Sequence, residues 1–97
     1  MTYHKVLVET YRAVGERSAS QIRARPLPGQ GFHPDMKVEC SSKMRNSRPI
    51  GSIFLITAKV KSRLGGPGFL YTSWQWGFKV MSQNLAEKFI AEGGWKV

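Results

Sequence analysis

Two runs of strict alternation flank a glycine-rich turn, and this pattern limits the fold more than any other feature of the chain. Residues 52–63 place Phe54, Ile56, Ala58 and Val60 on one parity, with Thr57, Lys59, Lys61 and Arg63 on the other. After Leu64-Gly65-Gly66-Pro67-Gly68, residues 69–81 set Leu70, Thr72, Trp74, Trp76, Phe78 and Val80 against Phe69, Tyr71, Ser73, Gln75, Gly77 and Lys79. A period of two belongs to half-buried strands, and the Gly/Pro cluster punctuates them. The reading is a β-hairpin. Opposed residues of an antiparallel pair share a face, so a turn at 64–68 predicts Arg63 opposite Phe69 and Lys61 opposite Tyr71. Trp74 then faces Ala58 and Trp76 faces Ile56, large against small. One face is core, and the other alternates bases with aromatics. With the parity inverted, the two tryptophans would instead form the outer platform.

The remaining segments suit the same fold class. Residues 3–14 mix alternation with β-branched side chains and read as a strand, although Leu7, Tyr11 and Val14 also satisfy helical spacing. A short strand at 20–26 carries Arg23 and Arg25 on its polar parity and ends at Pro26. Residues 26–31 are a loop, and Met36 to Cys40 alternate as a further half-buried strand. Residues 41–49 read as a basic loop with Lys43, Arg45 and Arg48. Asn84-Leu85-Ala86-Glu87 fits a capping box at the head of a short helix with Leu85, Ala86, Phe89 and Ile90 as its apolar stripe. Gly93-Gly94 stops that helix, and Trp95 is expected to fold back on the domain. Five short strands and a terminal helix predict a mainly β (α+β) fold in one domain, residues 1–97. The expected architecture is a small, strongly bent antiparallel sheet or barrel of the OB or SH3-like sort.

Charge supplies the functional direction. The chain has 15 Lys and Arg against 6 Asp and Glu, a formal net charge of +9. No acidic residue occurs between Glu39 and Glu87, while seven bases and six of the eleven aromatics do. Bases without nearby acids in the sequence point to a polyanionic partner.

Catalytic and metal chemistry find little support. Asp35, Glu39 and Lys43 lack the close spacing of a metal-dependent nuclease site. Cys40 with His4 or His33 is not a zinc set, and no third group orients a Cys–His nucleophile. Gly65-Gly66-Pro67-Gly68 lacks the Lys-Ser/Thr of a phosphate-binding loop. Cys40 reads as a small buried hydrophobe, and no disulfide is possible with one cysteine. Neither cofactor nor metal is expected. No apolar run reaches the ~20 residues of a membrane-spanning helix, so the expectation is a cytoplasmic protein with no membrane partner.

The residues point to a non-enzymatic protein that binds single-stranded or structured RNA or DNA, largely through electrostatics. Lys43, Arg45, Arg48, Lys59, Lys61, Arg63, Lys79, Arg23 and Arg25 would meet phosphates, while Phe69 and Tyr71 would stack on bases. Against this stands a structural role for both rings, covering a second layer. The alternative function is a small phage or mobile-element interaction protein, an inhibitor docking on an acidic protein or a ribonucleoprotein. A monomer or weak dimer is expected, the latter through the strand at 3–14 if it lies at a sheet edge.

Overall fold

The computed structural model describes residues 3–12, 22–62, 66 and 68–94. In chain order the elements are β1 (His4–Arg12), β2 (Ile22–Pro26), β3 (Val38–Glu39), α1 (Ser42–Asn46), β4 (Ile53–Ser62), β5 (Gly68–Tyr71), a 3-10 turn (Trp74–Trp76), β6 (Phe78–Met81) and α2 (Gln83–Ala91). The hydrogen-bonded order is β2-β1-β4-β5-β3, and β6 pairs with β4. Since β3 also lies against β2, the sheet is a nearly closed barrel. All pairs are antiparallel except β3 with β5, which is parallel.

Long strand β4 organises the molecule. Its first half holds β1 on one edge and β6 on the other, in the register Val8↔Phe54 and Phe54↔Val80. Its second half pairs β5. The even-numbered residues of β1 and β4 point inward, where Val6, Val8, Phe54, Ile56 and Ala58 meet Ala24, Val38, Leu70 and Met44. The odd-numbered face is divided. At one end Leu7, Ile53 and Leu55 are covered by Ala86, Phe89 and Ile90 of α2. At the other end no helix among the described residues packs on Lys5, Thr57, Lys59 and Lys61.

Several expectations change here. Strand β1 is interior in the strand order, with β2 along Val8–Arg12 and β4 along His4–Glu9, so it is not the edge strand that the expected dimer requires. Residues 41–49 are not a plain loop. Ser41 accepts from the Met44 amide and starts a helix whose Met44 plugs the barrel. Val60 shares parity with the core yet is 49% exposed. Among the described residues the pairing of β1 with β4 ends at His4 opposite Ala58, so Val60 keeps only Leu70 of β5 as a ladder partner. Helix α2 begins two residues early, because Ser82 is the first residue after β6 and its Oγ takes the Leu85 amide at 3.2 Å. Asn84 thus falls inside the first turn, and no capping box forms. The C-terminus keeps its expected stop: Gly93 has φ 69°, its amide donates to Ile90, and the Gly94 amide donates to Phe89. That is a Schellman motif, which favours glycine at the left-handed position. Trp95 lies outside the described residues.

A buried amide side chain completes the sheet beside β1. Pro26 ends the β2 ladder opposite Val8, and Gln30 continues it. Its Oε1 accepts from the Leu7 amide at 2.7 Å, while Nε2 donates to the carbonyls of Leu7 and Leu27 at 2.9 Å each. Replacing Gln30 with leucine would strand the Leu7 N–H in the interior. The expected cost is about 1–3 kcal/mol in urea-induced unfolding. No measurable loss would mean that this bond set is dispensable.

Candidate nucleic-acid interface

The hairpin places cations and rings on one open face, in a register different from the expected one. Tyr71 stands opposite Lys59, and Phe69 opposite Lys61. The pairing has slipped by two residues, and Gly68 itself joins the ladder against Ser62. A two-residue slip preserves parity, so hydrophobic pattern cannot distinguish the two registers. Arg63 lies outside the described residues.

Beyond Tyr71 the second strand does not continue. Residues 72–77 leave the ladder, and Ser73 caps a 3-10 turn by accepting from the Gln75 amide. Gly77, at φ 68°, returns the chain to β6. Six residues therefore oppose only Thr57 and Ala58 of β4. Parity has no meaning across such a break, and the expected core position of Trp76 fails for this reason. Its ring sits half-buried on the outer side, edge-on to Tyr3 at 5.2 Å and to Tyr71 at 5.7 Å. The side chain of Trp74 lies outside what is described.

Four strands contribute to the resulting surface. Lys59 Nζ lies 4.6 Å from the Tyr3 ring centre and 5.6 Å from that of Trp76. Lys61 Nζ lies 4.0 Å over Tyr71. The adjacent Lys5 ammonium donates to Thr57 Oγ1 at 2.8 Å. On the far side, parallel strand β3 sets Glu39 beside Tyr71. Among the described residues Lys61 makes no ion pair. Contact with a ring holds an ammonium in place without cancelling its charge. Lys61 therefore keeps its charge while its side chain is partly ordered.

The other expected site residues are distributed unevenly. Arg25 belongs to a different part of the barrel, where it pairs with Glu9 at 2.9 Å and lies over Tyr11. Lys43 and Arg48 are exposed at α1 and just after it. Lys79 is exposed on β6 opposite Leu55, toward the α2 end of the sheet. Arg23 and Arg45 converge on a cavity beside the ring–ammonium face, and Tyr71 lines it too. In that cavity burial pushes the Cys40 thiol pKa up, and the Arg45 guanidinium pulls the other way. Tyr3, Lys5 and Trp76 were not foreseen as site residues. Only the opposing register of β1 could have flagged Tyr3 and Lys5, and it requires knowing which strand neighbours β4.

Among the described residues no three His, Cys, Asp or Glu side chains gather to hold a metal. His33 Nδ1 accepts from the Asp35 amide, and His4 lies edge-on to Phe32. No described helix is long and apolar enough to cross a membrane. Comparison with protein-family models, with curated proteins and with solved structures finds no match to this chain.

Proposed function

We propose that this protein binds nucleic acid without catalysing a reaction, and that single-stranded or structured regions are its preferred targets. The observation that carries the reading is the open face on which Lys59 lies between Tyr3 and Trp76 while Lys61 covers Tyr71. A base stacking on an aromatic ring is worth about 1–3 kcal/mol. The exposed cation–π contact it displaces is worth about 0.5–1 kcal/mol. Exchange is favourable, and the displaced ammonium is released to meet a strand's phosphates. Duplex readout is less well served, since α2 packs Ala86, Phe89 and Ile90 against the sheet and α1 has only five residues.

Binding of a fluorescent oligonucleotide of about twelve nucleotides should weaken steeply with salt. Each phosphate contact on a single strand adds roughly 0.7 to the slope of log affinity against log salt. With Lys5, Lys59 and Lys61 engaged, a slope near 2 is expected from anisotropy titrations across 50–200 mM salt. A flat salt response would remove the electrostatic mechanism.

A second reading, docking on another protein, draws on one observation. Strand β6 has a single partner among the described residues, and its Phe78 and Val80 are 44% and 42% exposed. An acidic protein retained by the purified chain in place of oligonucleotides would favour that reading.

A further inference from the structure

Beside the ring–ammonium face, a cavity of about 390 Å³ opens where β2, β3, β5 and the region of α1 meet. Arg23 reaches it from β2 and Arg45 from α1, so two guanidinium groups arrive from independent elements. The Nε–H of Arg45 is buried and finds no acceptor within the described chain. A buried charged donor of this kind is costly unless an oxygen meets it. Thr72 does not compete for an incoming group, because its hydroxyl donates to the Thr57 carbonyl at 2.7 Å. Glu39 brings one carboxylate to the lining, which leaves two arginines against one acid. The planar fork of arginine matches the oxygens of a phosphate, and it does so better than lysine. Tyr71 is shared, since it lines this cavity and also stands beneath Lys61 on the open face.

We propose that this cavity holds a phosphate group between Arg23 and Arg45, and that on a bound strand the adjoining base lies on Tyr71. This rests on the nucleic-acid reading and extends it, because it gives the strand a direction from the open face into an arginine-lined end. The lysines track the backbone, while the arginines grip one phosphate. Cys40 lines the same cavity and serves as a built-in reporter.

The test uses the full chain with two probes, a single-stranded oligonucleotide and inorganic phosphate at constant ionic strength. In the native protein either probe should slow alkylation of Cys40 by iodoacetamide several-fold. Arg45→Met should weaken oligonucleotide binding about tenfold, lower the salt slope by roughly 0.7, and abolish the protection of Cys40. Arg45→Lys should restore the slope but only part of the affinity, because the point charge returns without the fork. Melting curves confirm that both variants are folded, and Arg23→Met provides the same comparison from the other element. Oligonucleotide binding that is equal in native and Arg45→Met protein, with neither probe slowing Cys40 alkylation in the native protein, would overturn the pocket and leave the open face intact. Absence of oligonucleotide binding would overturn the open-face reading. In that event, protection of Cys40 by phosphate alone would still uphold the pocket, and its absence would overturn it as well.

Discussion

Reversing Lys59 and Lys61 to glutamate together is expected to weaken oligonucleotide binding at low salt by about a thousandfold. Two attractive contacts become two repulsive ones, and each unit-charge contact in water is worth about 1 kcal/mol at close range. The salt slope should fall by roughly 1.4 as two phosphate contacts disappear. The fold should survive, because both side chains lie on the outer face and the inward residues of β4 are untouched. A control reversal at Lys88 on α2, which pairs with Glu92 at 3.9 Å, should leave affinity nearly unchanged. An equal loss of binding free energy per reversed charge at the two sites would mean that total charge, and not this face, determines binding. A Lys59→Glu/Lys61→Glu protein that is folded and binds normally would end the proposal for the open face.

The largest effect on stability is expected from Phe54→Ala, about 3–5 kcal/mol. The ring is fully buried, lies between Val8 of β1 and Val80 of β6, and meets Phe78 edge-on at 5.4 Å. Its removal takes away the contact that joins three strands and leaves a cavity in a packed interior. Small domains hold roughly 5–15 kcal/mol in total, so the variant would be marginal at best. A fall in melting temperature of roughly 12–40 °C is expected, at about 4–8 °C per kcal/mol for a domain of this size. Val60→Ala supplies the contrast, with an expected cost below about 1 kcal/mol at its exposed position. Alternation alone ranks Phe54 and Val60 together. If the two substitutions cost the same, the barrel interior does not end where the β1–β4 pairing ends.

How much was legible follows from the range of each signal. Strand identity at β1, β2, β4 and β5 was readable, because alternation and glycine-proline punctuation act over a few residues. The stop at Gly93 was readable for the same reason, since a left-handed residue after a helix is a local demand. The outer face of the hairpin was correctly assigned to Lys59, Lys61, Phe69 and Tyr71, because parity survives a slip of two. Parity did not survive residues 72–77, where Ser73 and Gly77 build a turn inside an otherwise perfect alternation. Trp76 consequently moved from the expected core to the open face. The position of Arg25 was illegible too, as its partner Glu9 lies 16 residues away on the neighbouring strand.

The acid-free, aromatic-rich stretch and the two alternating runs determined a basic β-protein with a charged outer face, because each depends only on residue order. What the tertiary structure decided is which rings and cations share that face. Tyr3 reaches Lys59 from just before β1, and Arg23 of β2 and Arg45 of α1 line one cavity, through the packing of segments far apart in the chain. A spacing rule describes neighbours along a strand, whereas these neighbours were set by the order of strands in the barrel and by the slip of their register.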